Sequence, residues 1–237
     1  MEVEVWSDVV CPWCYIGKRR LEAALTAFPH AADVHVTWRS FELDPSAPAV
    51  REGDAASRLA AKYGMSQEQA LASQTRLTTL AAQDGLEYHL DRTRAGNSFD
   101  AHRLLHFAHQ LGLQDALKER LFRAYFTEAE PIGDRETLRR LAVETGLPDA
   151  EVRAVLESDQ FAADVHADEA QARDYGVDGV PFFVVDARYG VSGAQSAEVL
   201  GQALAQAWAE SHPQRVLTRV GGGADSAAAC TDDQCAV

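Results

Sequence analysis

Strand-forming runs occur only at the two ends of this 237-residue chain, and a long helical stretch separates them. Val3 and Val5 alternate with Glu2 and Glu4, and Val34, Val36 and Trp38 repeat the alternation. A period of two is that of a half-buried strand. Between these strands, Pro12 to Phe28 puts Leu21, Ala24, Leu25 and Phe28 on one helical face. A strand–helix–strand unit is the signature of parallel pairing. The strand signal returns only after Gly176, in the apolar run Pro181–Asp186 and in Tyr189–Ser192, which can pair as a hairpin. Residues 197–209 read as a closing helix. The middle is rich in Ala, Leu, Gln, Glu and Arg. It reads as helices over 52–63, 66–84, 98–111, 114–127, 134–145 and 148–157, with another over 160–175. Glycines and prolines separate them. Ser66 with Gln69, and Ser98, read as helix caps. The expectation is an α/β fold with an all-helical block inserted after the first strand–helix–strand unit.

The cysteines carry the chemistry. Cys11 and Cys14 lie where the first strand gives way to the first helix, Cys230 and Cys235 lie near the C-terminus, and none lies between. A cysteine at a helix N-terminus faces unpaired N–H groups and the positive end of the macrodipole, and both favour thiolate. Pro12 suits the first turn, where its missing N–H has no partner to lose. Cys14 is one turn along, so Cys11 can attack a disulfide and Cys14 can resolve the mixed intermediate. A structural zinc site is the competing use of C-x-x-C, but it needs four ligands. The second pair has a different gap and lies beyond Gly221-Gly222-Gly223, so no metal is expected. A second signal is Val180-Pro181 ahead of Phe182. Proline is uncommon in a core strand, and a cis bond there would turn the Val180 backbone outward toward an extended substrate.

Charge and termini narrow the partners. The net charge of −14 opposes nucleic acid and anionic membrane surfaces. No apolar run approaches membrane-spanning length. The first residues show no basic segment, apolar targeting run or cleavage site, which leads to the expectation of a cytoplasmic protein. Cytosolic cysteine pairs are usually transient and catalytic.

The stretches SDVVCPWCYIGKRRLE, NSFDAHRLLHFA and GVDGVPFFVVDARYGVSGAQ resemble the DsbA-like branch of the thioredoxin superfamily, and within it the FrnE-like oxidoreductases. The resemblance covers essentially the whole chain. It implies a thioredoxin fold split into residues 1–45 and 160–215, with an inserted helical domain at 46–159. It also implies cis-Pro181 and dithiol–disulfide exchange with disulfide-containing proteins or low-molecular-weight thiols. No bound cofactor is expected, and glutathione is a candidate redox partner. Residues 216–237 form a tail whose Cys230 and Cys235 are similar to the extra cysteine pair of some FrnE proteins, an accessory redox pair. Trp13 stands where DsbA proteins carry histidine. It cannot hold a thiolate by charge, so a milder oxidant is expected.

Lesser positions follow. Asp8, three residues before Cys11, is either a proton acceptor for Cys14 or a plain surface residue. Trp13, with Pro12, Val180 and Pro181, is expected to shape the substrate groove. His102, His106 and His109 share one helical stripe, read as solvated or packed. Asn97 either lines a thiol-ligand groove, by similarity to the related glutathione-using proteins, or caps a helix with Ser98. Those relatives are the 2-hydroxychromene-2-carboxylate isomerases and kappa-class glutathione transferases. They define the rival reading of a glutathione-dependent enzyme acting on an aromatic or polyketide-like molecule, but they carry serine at the nucleophile position. A non-catalytic binding protein or chaperone is the third reading.

Overall fold

The computed structural model describes residues 1–51 and 53–213, so Cys230 and Cys235 lie outside the described residues. Four strands form one sheet in the order β2-β1-β3-β4, where β1 is Glu2–Ser7, β2 His35–Ser40, β3 Phe182–Val185 and β4 Tyr189–Ser192. β1 and β2 are parallel, Val5 facing Trp38, as the crossover helix α1 (Pro12–Ala27) requires. β3 runs antiparallel to β1, Val5 facing Phe183, and β4 returns antiparallel to β3. β3 begins at Phe182, so Pro181 precedes the ladder, which it could not serve as a donor.

The two faces of the sheet are covered by different elements. Val3, Val5, Phe183 and Val185 pack against Leu21 and Ala24 of α1 and Leu200 and Leu204 of the last helix, α9. Trp6 and Val184 face Ala172 and Val177 instead. The Trp6 indole donates to the Asp168 carbonyl at 2.9 Å, which ties β1 to a helix from the far side of the chain.

Between β2 and β3 come α2 (Ala55–Tyr63), α3 (Gln67–Gln83), α4 (Phe99–Gln110), α5 (Gln114–Phe126), α6 (Arg135–Glu144), α7 (Asp149–Glu157) and α8 (Ala162–Asp174), and α9 (Ala197–Ser211) closes the chain. The capping box of Ser66 and Gln69 is present. α2 starts at residue 55 rather than 52, because Asp54 takes the cap by accepting from the Ser57 amide. Ser98 holds the N-cap position of α4, as expected, but its side chain makes no cap bond; instead Asn97 Oδ1 accepts from the Phe99 amide at 2.8 Å. The helices share one apolar core with the front of α1. Cys14, Tyr15 and Ile16 are buried together with Leu104, Leu121, Phe122 and Leu138. The end of α1 that bears the cysteines is therefore the seam between sheet and helical block.

That seam is pinned by a side chain. Gln114 accepts from the Trp38 amide at 3.0 Å and donates to the Trp38 carbonyl at 2.9 Å. It acts as a one-residue strand on the open edge of β2, and so places α5 against the sheet.

Candidate active site

Cys11 is the N-cap of α1 and Pro12 is its first residue, so the helix starts between the two cysteines. The Cys11 amide donates to the Asp8 carbonyl and the Cys14 amide to the Cys11 carbonyl, both at 3.1 Å. The Tyr88 hydroxyl donates to the Pro12 carbonyl at 2.7 Å, which holds the turn from the helical side. Cys11 is 4% exposed and Cys14 is 0%, so an incoming molecule meets Cys11 first. Both cysteines are free thiols. Burial, reinforced by the hydrogen bond and the charge of Cys11, pushes the Cys14 thiol well above the usual range. Trp13, between them, is 43% exposed and forms part of the rim.

The Val180–Pro181 loop arrives from the other end of the chain. Its peptide bond is cis. The Cys11 thiol donates to the Val180 carbonyl at 3.5 Å. Gly17, one turn beyond Cys14, gives the loop its seat: a Cβ there would lie 3.0 Å from Pro181 Cγ.

Beneath the cysteines is a buried polar group. Asp8 is 0% exposed. It accepts from the Leu43 amide at 2.8 Å and the Val10 amide at 3.4 Å. His102 Nε2 lies 3.4 Å from Asp8 Oδ1. Burial works to raise the Asp8 carboxyl, but His102 and the Leu43 amide outweigh it, so Asp8 stays below the usual carboxylate range. Burial holds the His102 imidazole below its usual value. Lys118 of α5 completes the group at 0% exposure. Its ammonium donates to the Ser7 carbonyl at 3.4 Å and lies 5.1 Å from the Phe122 ring centroid. Burial pushes the Lys118 amine down to about 8, against the opposing pull of Cys14, Asp8 and Cys11.

Residues 2–205 match the DSBA-like thioredoxin domain family. The chain belongs to that family. Among solved structures, this DsbA-like chain is similar to SCO1869 of Streptomyces coelicolor, described as a probable DsbA oxidoreductase. The two are 48% identical with a TM-score of 0.86, over 95% of this chain and 97% of that one. Two more distant structures share the fold. One is a 2-hydroxychromene-2-carboxylate isomerase, at 14% identity and TM-score 0.65, over 89% of this chain and 98% of that one. The other is the cytosolic disulfide reductase DsbM of Pseudomonas aeruginosa, at 20% identity and TM-score 0.59, over 87% and 98%. The four-stranded sheet with its helical insertion is thus the thioredoxin fold of DsbA-like proteins.

Several residues of this DsbA-like protein sit where sequence alone did not place them. Asp8 is not on the surface. His102 and His106 each meet a carboxylate, His102 at Asp8 and His106 at Asp168 with an Nε2–Oδ2 distance of 3.0 Å, while His109 is exposed. Asn97 spends its amide inside the chain, donating to Glu42 Oε1 at 3.4 Å and to the Pro45 carbonyl at 3.3 Å. A cavity of about 660 Å³ opens beside the cysteines. Its lining includes Val10 and Pro12, the cations Arg51, Arg58 and Lys62, and the acids Asp8 and Asp44. Lys118 and Glu42 are among the buried charges that sequence reasoning missed, with Lys18, Arg103 and Asp168. For Lys118 a signal existed: it falls on the apolar stripe of Leu117, Leu121, Phe122 and Tyr125, where a lysine is out of place. Among the described residues, no group of three or more His, Cys, Asp or Glu could hold a metal ion, and no helix is long and apolar enough to cross a membrane.

Proposed function

We propose that this DsbA-like protein is a dithiol–disulfide oxidoreductase of FrnE type. Cys11 is the nucleophile and Cys14 the resolving thiol. The observation that supports this most directly is the Cys11 thiol against the Val180 carbonyl at 3.5 Å, with Cys14 fully buried behind it. The carbonyl lies where an extended segment carrying the target sulfur would dock, and Pro12, Trp13 and Pro181 frame the approach. In the exchange, the Cys11 thiolate attacks one sulfur of the substrate, and the other leaves as a thiolate. Cys14 then attacks Cys11, closing the internal disulfide and releasing the reduced substrate. Disulfide-bearing proteins and low-molecular-weight thiols such as glutathione are the partners this chemistry accepts. A cytoplasmic setting belongs to the same reading, in line with the cytosolic DsbM.

Insulin reduction tests it. Cys11→Ser abolishes turnover, and Cys14→Ser accumulates mixed disulfides through Cys11. Equal activity of both variants and the parent overturns the reading.

The cavity beside Pro12 favours a second reading, a glutathione-dependent isomerase or transferase acting on a small aromatic anion. Asp8 and Asp44 share the cavity lining and Arg51 is paired with Asp44, so Arg58 and Lys62 are the cations that suit such a ligand. The thiol pair weighs against it. Glutathione-dependent turnover of a hydroxychromene carboxylate that survives Cys14→Ser would establish it.

A further inference from the structure

Resolution demands that Cys14 lose a proton in a place without solvent. Cys14 is 0% exposed and packs in the same apolar cluster as Leu117, Leu121 and Phe122, the neighbours of Lys118 on α5. The natural candidate from sequence, Asp8, is poorly suited. Its oxygens already accept from the Leu43 and Val10 amides, and it is held as a carboxylate. Lys118 is placed otherwise. Its three-donor ammonium has a single hydrogen bond, the 3.4 Å contact to the Ser7 carbonyl, and aromatic rings on two sides. The rings attract the ammonium, but with one hydrogen bond and no solvent the charged form stays under-satisfied, and burial favours the neutral amine.

We propose that Lys118 is the proton acceptor for the Cys14 thiol in the resolving step. The inference rests on the reading of Cys11 and Cys14 as an exchange pair. In the mixed disulfide, the neutral Lys118 amine takes the Cys14 proton and becomes ammonium. The Cys14 thiolate forms the bond to the Cys11 sulfur, and the bond from Cys11 to the substrate sulfur breaks. The substrate leaves as a thiolate with the electron pair, and Lys118 returns its proton to that thiolate or to solvent.

Two observations support the setting. Lys118 and Cys14 feel each other's charge: the lysine favours the thiolate, and the thiolate favours the ammonium. The surroundings also keep spare proton sites. Ser7 Oγ and His102 Nδ1 are buried without a hydrogen-bond partner. Unpartnered polar atoms are uncommon in packing that serves structure alone. The charged and titratable groups facing Lys118 are Cys11, Cys14 and Lys18 of α1, Asp8 after β1 and His102 of α4. Its amine is pushed down to about 8, within reach of neutral pH.

The test separates the two steps by rapid mixing of reduced full-length protein with a self-quenched fluorescent peptide disulfide, from pH 6 to 10. Formation of the mixed disulfide depends on peptide concentration, and resolution does not. The resolution rate of the parent should rise with pH and level off above an apparent pKa near 8. Lys118→Met and Lys118→Arg should both slow resolution at pH 7 by roughly 10- to 100-fold and lose the levelling. Arginine decides the matter, because it keeps the charge yet does not give up its proton. Parent-like resolution in the arginine variant assigns Lys118 a purely electrostatic role and overturns the proposal, as does parent-like resolution in the methionine variant. Should both variants fail to fold, the parent alone is decisive: a resolution rate flat across the range, or governed by a group far from 8, sinks it. If the parent forms no mixed disulfide, the exchange reading itself fails and takes this inference with it.

Discussion

Gly17 and Pro181 touch as closely as packing allows: a Cβ on Gly17 would meet Pro181 Cγ at 3.0 Å and Phe183 Cζ at 3.2 Å. The proline ring cannot swing aside like a flexible side chain. Gly17→Ala gains about 1 kcal/mol of helix propensity, but overpacking costs about 1–3 kcal/mol. The variant should be less stable in urea unfolding. It should also exchange more slowly, because the Val180 carbonyl moves away from Cys11. A variant that is more stable and fully active would show that the contact yields.

Glu42 introduces a pH dependence opposite to that of most carboxylates. It is 7% exposed. Burial, with Glu169 and Asp8 adding to it, pushes its carboxyl up to about 7, and the Asn97 hydrogen bond only partly opposes this. The folded state therefore binds this proton more tightly than the unfolded chain. Its stabilising effect is complete below the ordinary glutamate pKa and is lost as pH rises through about 7. Glu42→Gln should leave stability at pH 4 unchanged and raise it at pH 8 by on the order of 1 kcal/mol. Thermal melts at the two pH values check the sign.

Tyr88→Phe removes the hydroxyl that donates to the Pro12 carbonyl at 2.7 Å and keeps the ring stacked on Phe126. Loss of one such bond should cost about 1 kcal/mol in global stability. The larger effect should be on the reduction potential of the Cys11/Cys14 couple, measured in a glutathione buffer, since that carbonyl lies between the two sulfurs in sequence. An unchanged potential would show that the turn is held without Tyr88.

Truncation after Arg219 removes Cys230 and Cys235, which we take as an accessory pair tethered by Gly221-Gly222-Gly223. A linker of such Gly-rich composition would give an effective concentration of about millimolar order. The truncated protein should recover more slowly from peroxide treatment while keeping its initial rate of insulin reduction. Equal recovery would leave the tail without a redox part.

Local patterns made much of this legible. The alternation at Val3 and Val5 and the four-residue cysteine motif are properties of neighbours in the chain, and α1 and β1 follow from them. What sequence hid is what depends on meeting a distant element. In sequence, Asp8 stays open between a proton acceptor and a surface residue, because nothing near it in the chain announces Leu43 or His102. Ser98 takes the N-cap position that its residue type suggests, but which side chain makes the bond depends on the turn before α4, where Asn97 reaches the Phe99 amide. The His102 and His106 partners come from the β1–α1 turn and from α8, and no spacing within α4 encodes them.

The position of β1 carries a consequence for how the protein is made. β1 is an inner strand, paired on one side with β2 and on the other with β3, where Val3 meets Val185. A ribosome delivers the Cys11–Cys14 segment before the helical block, but the carbonyl of Val180 that stands over Cys11 only after it. Until then the two thiols are an ordinary reactive dithiol without a docking strand. On the exchange reading, competence would be withheld from the nascent chain until β3 is made, so a partly made copy would have no finished site with which to engage the disulfides of its neighbours.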